Sequence, residues 1–170
     1  VVLGATGPVG LRAAELLAME NAKVTLVSRT MDRAEAACAS IRAKVPSARL
    51  TAAAASSPDE FEGLCSGHEV IVAAGAAGVC FLKDGALSRL KNTKLAIDLN
   101  AVPPSGLFEI SVTDKAVERS GIICYGALGV GGLKMKVHKQ AIATLFTSND
   151  LLLDTRSIYE LSLKVAEING

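Results

Sequence analysis

Val1-Val2-Leu3-Gly4-Ala5-Thr6-Gly7-Pro8-Val9-Gly10 opens the sequence: an apolar run, three glycines spaced three apart, then an amphipathic segment. The pattern predicts a buried strand, a tight turn and the start of a helix. Glycine at such a turn permits positive φ and leaves no Cβ against a ligand. The helix behind it directs free N–H groups and its positive dipole end over the loop. A pyrophosphate suits that position. Pro8 agrees, since proline is pre-organised for a first helical turn. The spacing is G-x-x-G-x-x-G rather than the usual dinucleotide fingerprint G-x-G-x-x-G. The alternative is a glycine turn with no ligand, so the context has to decide.

That context is a βαβ unit. Residues 11–20 carry apolar side chains at helical spacing, and the β-branched run at 23–28 reads as the second strand. A helix is expected over 31–45, closed by Pro46, and a small, buried third strand over 48–54. Ser57-Pro58-Asp59-Glu60 is a capped helix start. Residues 68–75 form a strand running into the loop Gly75-Ala76-Ala77-Gly78, beyond the point where strand order reverses. A helix over 79–91, a strand over 94–100, a short helix over 113–120 and a strand over 122–125 follow. The glycine-rich turn at 126–132 leads into another helix, and a last one covers 156–168 with Ile158, Leu161, Val165 and Ile168 as its apolar stripe. The expected fold is α/β: a Rossmann-type doubly wound parallel sheet with helices on both faces. It forms a single dinucleotide-binding domain over residues 1–170.

The 170 residues are half apolar, 4% aromatic, and carry a net charge of +1. Neither a nucleic-acid footprint nor a membrane surface is expected from that balance. Cys38, Cys65, Cys80 and Cys124 form no C-x-x-C pair, and only two histidines are present, so no metal site is expected. The cysteines read as buried hydrophobes in a reducing, cytoplasmic compartment, and no secretory leader is recognised.

The tip of the second strand bears on the cofactor. NAD sites place an acidic residue there for the ribose 2′-OH. Here stand Ser28-Arg29-Thr30, with Arg33 a turn later. Guanidinium forks suit phosphate oxygens, so NADP is expected and NAD stays open. Asp98 and Asn100 end the fifth strand, where open α/β sheets keep their ligands. Lys134 and His138 share a face near a helix N-terminus, where a cation is disfavoured unless an anion or substrate is present.

The chain resembles the NADP-binding, C-terminal domain of bacterial methylene-tetrahydromethanopterin (or methylene-tetrahydrofolate) dehydrogenases. The matching stretches are residues 1–10, the loop at 73–78, Asp98-Leu99-Asn100-Ala101-Val102-Pro103-Pro104, and above all Gly126-Ala127-Leu128-Gly129-Val130-Gly131-Gly132-Leu133-Lys134-Met135-Lys136-Val137-His138. Family members carry glycine where this chain has Ala5, so the first glycine is shifted to Gly4. The resemblance implies hydride transfer from the methylene bridge of a reduced pterin to NADP. It also implies that the chain is a fragment lacking an N-terminal pterin-binding domain, and a homo-oligomer is expected. Gly4, Thr6, Gly7, Pro8, Val9 and Gly10 would hold the pyrophosphate, and Ser28, Arg29 and Arg33 the 2′-phosphate. Ala74, Gly75 and Asn100 would lie near the nicotinamide. By resemblance, Lys134 would face the pterin, with Asp98 a second catalytic candidate.

Three other readings are open. A short-chain dehydrogenase would need Tyr-x-x-x-Lys, but Tyr125 is followed four residues on by Gly129, and Tyr159 by Leu163. A shikimate-dehydrogenase-like domain would share the architecture and oxidise an alcohol. A non-enzymatic NADP-sensing module would bind without turnover.

Overall fold

The computed structural model describes residues 1–169, with side-chain surroundings as far as residue 166. The chain forms two compact units, Val1–Gly129 and Val130–Gly170.

The first unit is built on a seven-stranded sheet. Its strands are β1 (Val2–Leu3), β2 (Lys23–Ser28), β3 (Arg49–Ala54), β4 (Val70–Ala73), β5 (Leu95–Asp98), β6 (Lys115–Arg119) and β7 (Ile122–Tyr125). They lie in the order β3-β2-β1-β4-β5-β7-β6. All neighbours are parallel except β6, which runs antiparallel to β7 at the edge. The fully parallel sheet expected from sequence is thus corrected at one strand. From β1 the chain winds one way through β2 and β3, then returns and winds the other way through β4, β5 and β7. The reversal opens a crevice between the carboxyl ends of β1 and β4.

The strands alternate between two cores. Leu3, Val27, Ile71 and Ala73 face one core, while Val2, Val24, Leu26 and Val72 face the other. A central strand buried on both faces is apolar throughout, which is why the opening run carries no polar residue. The helices α1 (Pro8–Met19) and α2 (Met31–Lys44) cover the second face with Ala14, Ala18, Cys38 and Ile41. Lys44 ties them by donating to the nearly buried Glu15 at 2.9 Å. The helix α3 (Pro58–Cys65) places Phe61 and Cys65 against the first face. Its start is the expected cap, now a full capping box: Ser57 Oγ accepts the Glu60 N–H, and Glu60 accepts from the Ser57 N–H. Burial pushes the Cys65 thiol up to about 12 and the Cys124 thiol to about 11, so both behave as core hydrophobes. Cys80 is half-buried.

Three local expectations are overturned. The helix expected over 79–91 is an extended loop with one 3-10 turn at Leu87–Arg89. Gly85 takes φ +74°, the N–H groups of Phe81 and Leu82 both donate to the Gly106 carbonyl, and the Leu87 N–H donates to Glu109 Oε2. Those donors lie outside the i→i−4 pattern, so no helix propagates. The segment still plugs the first core with Phe81, Leu82, Leu87 and Leu90. The helix expected over 113–120 is strand β6. Ser120 and Gly121 take φ of 52° and 79°, the signature of a two-residue hairpin turn with positive φ at both central positions. The third strand is only partly buried, at Leu50 and Ala53, because it forms the other edge.

The second unit holds α4 (Gly131–Leu145) and α5 (Thr155–Asn169), packed against each other. Val137, Ala141 and Val165 are buried, and Ile158 and Leu161 half-buried. The Ile168 side chain lies outside the described residues. Among the described residues no helix is long and apolar enough to cross a membrane, and no cluster of metal-ligating side chains occurs.

Candidate coenzyme cleft

The crevice between β1 and β4 is a cleft of about 280 Å³. It gathers Gly4, Thr6 and Gly7 from the first turn, Ser28, Arg29 and Arg33 from the end of β2 and the start of α2, and Ala74 and Gly75 from the end of β4. These eight were all expected from sequence. Val27, Phe61, Ala76, Val79 and Phe81 complete the lining.

The three opening glycines have three different physical causes. Gly4 stands at φ +72°, and a Cβ there would fall 2.9 Å from the backbone of Gly75. It lets the β1 turn approach the β4 loop. A Cβ on Gly10 would fall 2.5 Å from the Gly4 carbonyl oxygen and 2.9 Å from Ala5 Cα, so Gly10 seats α1 on the turn. Gly7 is different. A Cβ there would meet nothing closer than 3.6 Å. Packing does not require glycine at Gly7, whereas close approach of a ligand to the backbone would. Gly7 is also the N-cap of α1, with no side chain bonded to the helix start. Pro8 occupies the first turn and brings no N–H. Val9 beside it is 56% exposed.

The cations are as informative. Arg12 pairs with Glu15, Arg89 with Glu62, Arg119 with Asp114 and Arg156 with Glu160. Arg42 donates to the Leu50 carbonyl and Arg49 to that of Asn21. Of the described arginines, Arg29 and Arg33 alone have no partner among the described residues, and both line this cleft. No carboxylate lines it with them. Two unpaired guanidinium groups and a helix N-terminus on one cleft make it a receptor for an anionic ligand.

Its floor is apolar. The rings of Phe61 and Phe81 meet edge to face, with centroids 4.9 Å apart. A Cβ on Gly75 would fall 2.5 Å from the Phe81 ring, so Gly75 is bare because Phe81 fills the space beside it. Sequence reasoning missed both rings. Phe81 was assigned to a helix, and Phe61 carries no signal beyond an apolar position on α3.

The remaining expected residues lie elsewhere. Asn100 lies beyond β5, one strand along the same sheet edge, and lines a second depression. Its Nδ2 donates to the Pro104 carbonyl at 3.0 Å, and its Oδ1 accepts the Val102 N–H at 3.1 Å. Asp98 is buried to 1% exposure, and its oxygens accept the N–H groups of Asn100 at 2.9 Å and Leu107 at 2.8 Å, with Gly106 also bonded. Burial holds its carboxyl above the usual carboxylate range, and those backbone donors oppose the rise. With both oxygens committed, Asp98 fixes the loop after β5 and does not face the cleft. Lys134 is exposed on α4 of the second unit, and His138 is exposed one turn later.

No protein-family model matches the chain. Two curated proteins of Methylorubrum extorquens do. The bifunctional protein MdtA is 39% identical over 147 residues, which is 86% of this chain and 51% of that protein. The NAD(P)-dependent methylenetetrahydromethanopterin dehydrogenase is 27% identical over 169 residues, 98% of this chain and 57% of that protein. The chain is thus similar to both proteins. It spans about half the length of the curated relatives it matches. Among solved structures, a short-chain oxidoreductase of Pseudomonas aeruginosa PAO1 with an atypical catalytic center aligns over 81% of this chain and 61% of its own. The TM-score of 0.44 and 17% identity make that likeness too loose to bear on the dehydrogenase relationship.

Proposed function

We propose that the chain is the coenzyme-binding part of an NAD(P)-dependent oxidoreductase that removes hydride from the methylene bridge of a reduced pterin, with NADP as the preferred coenzyme. The supporting observation is the pairing of a bare helix N-terminus at Gly7 with two unpartnered arginines in one cleft. The name of one relative, the methylenetetrahydromethanopterin dehydrogenase, suggests the substrate class. A nicotinamide coenzyme, when bound, supplies the two-electron acceptor for a hydride. The first turn of α1 holds the pyrophosphate, Arg29 and Arg33 hold the 2′-phosphate, and the side-chain-poor Ala74–Gly75 backbone lets a flat ring lie against it. Phe61 and Phe81 keep water from beneath it.

The chemistry asks for alignment and dryness more than for a base. The methylene carbon lies between two nitrogens, and their lone pairs carry the positive charge left when hydride departs. No O–H proton has to be removed. The cleft lining fits this, because it contains no His, Lys, Tyr, Asp or Glu. Lys134 is proposed to face the pterin, and the intact protein to be a homo-oligomer.

The test is turnover by the intact protein with NADP and methylene-tetrahydromethanopterin or methylene-tetrahydrofolate. Reduction of NADP is the expected result. Oxidation of a hydroxy acid instead would transfer the assignment to the alcohol-oxidising reading. NADP binding without turnover of any substrate would leave a sensor.

A further inference from the structure

The depression around Asn100 has the opposite character to the coenzyme cleft. It measures about 350 Å³, and Asn100, Val102, Pro103, Ser105, Phe108 and Arg119 are among its lining residues. Its one arginine is already matched. Arg119 is bound to both oxygens of Asp114, and Glu109 accepts the Leu87 N–H at 2.9 Å. Apolar surface remains open: Phe108 is 57% exposed and Val102 54%. Neither is a stray of a loose loop. The Phe108 N–H donates to the Leu82 carbonyl at 3.0 Å, and Leu107 and Ile110 on either side are buried to 0% and 1%. Val102 is held by Asn100 Oδ1, and two prolines stiffen the backbone that follows.

The depression also adjoins the coenzyme cleft. Strands β4 and β5 are neighbours in register, with Ala73 opposite Asp98. The Gly106 carbonyl accepts the Phe81 N–H at 2.7 Å, and Phe81 lines the coenzyme cleft. A Cβ on Gly106 would lie 3.3 Å from that of Ala73. The loop at 105–108 therefore links the linings of the two hollows. Arg29 and Arg33, on β2's side of the first hollow, mark its phosphate-binding end; the Ala74–Gly75 end lies toward the second. Hydride transfer requires the reacting carbons about 3–3.5 Å apart, so the donor must lie beside that end.

We propose that this depression receives the flat bicyclic ring of the hydride-donating substrate, with the Phe108 side chain as its stacking face and Asn100 as the positioning residue that holds the loop. Recognition is by ring contact and shape, since Phe108 and Val102 are the open apolar surface of the hollow. The proposal rests on the pterin reading given above.

The experiment is direct binding of tetrahydromethanopterin and of NADP to the intact protein by calorimetry, alongside steady-state kinetics, for Phe108→Ala and Phe108→Tyr. Stacking on an aromatic ring is worth about 1–3 kcal/mol, so Phe108→Ala should weaken pterin binding roughly 5- to 150-fold. KM for the pterin should rise with it, while NADP affinity and melting temperature stay unchanged. Phe108→Tyr, which keeps the ring, should restore pterin binding. Unchanged pterin affinity in Phe108→Ala, or a loss confined to NADP, overturns the proposal, as does a wild-type protein that binds no reduced pterin. If the wild type binds pterin through Phe108 but passes no hydride, the subsite stands and the dehydrogenase reading falls.

Discussion

The two halves of the sheet's carboxyl edge use their polar groups in opposite ways. On the β1–β2 side, the α1 N-terminus has no side-chain cap, and Arg29 and Arg33 have no partner among the described residues. On the β5–β7 side, Asp98, Asn100, Asp114 and Arg119 are all committed to holding loops. Hydrogen-bonding and charged groups left uncommitted beside a cleft are available to a ligand, whereas groups satisfied internally make a rigid wall. One half can therefore recognise charge, and the other can recognise shape.

Substitutions can break that contrast. The largest effect is expected at Gly10, where the added methyl of Gly10→Ala meets backbone on two sides. Overpacking of this kind costs about 1–3 kcal/mol or more, so denaturant melts should show a clear loss of stability and, with it, of coenzyme binding. Gly7→Ala is the sharpening control: its melt should barely change, while coenzyme affinity falls. If the two variants melt alike, the separation between a packing glycine and a ligand glycine is wrong. Next is Arg29→Ala. Loss of a hydrogen bond to a charged group costs about 1.5–3 kcal/mol, so NADP affinity should fall some tenfold or more by titration, with NAD nearly unaffected. Equal losses for both coenzymes would refute the 2′-phosphate assignment.

Asp98→Asn probes the other half. An amide nitrogen must then face one of the N–H groups that the carboxylate accepted. Stability should drop by about 1–2 kcal/mol in a thermal melt while NADP affinity is retained. A selective loss of turnover at unchanged stability would return Asp98 to the chemistry. The smallest effect is at Ser120, held at φ 52°. Ser120→Asn creates the Asn-Gly pair that such hairpins prefer, and should raise stability by no more than about 1 kcal/mol.

The β1–β2 half was the more legible in sequence. Its strand, turn and helix are contiguous, so glycine spacing, Pro8 and the arginines after β2 report directly on local geometry. Eight residues expected at the coenzyme site line one cleft for that reason. The β5–β7 half is assembled from distant segments. Nothing near Phe81 in the sequence signals that its N–H will bond Gly106, so an apolar run was read as a helix. Ser120-Gly121 did carry a hairpin signal, but residues 113–120 were read as a short helix. Asp98 was placed correctly at its strand end. Its burial depends on Leu107 folding back over it, a contact between residues nine apart.

The outer rim at β6 bears on how the molecule keeps its own company. Register slips between Lys115 and Val117, with Ala116 at φ 55°, and Lys115, Glu118 and Arg119 place charge along the border. A kinked, charged margin is a poor template for another chain's backbone. Crowding this protein at high concentration should not knit copies together along that seam.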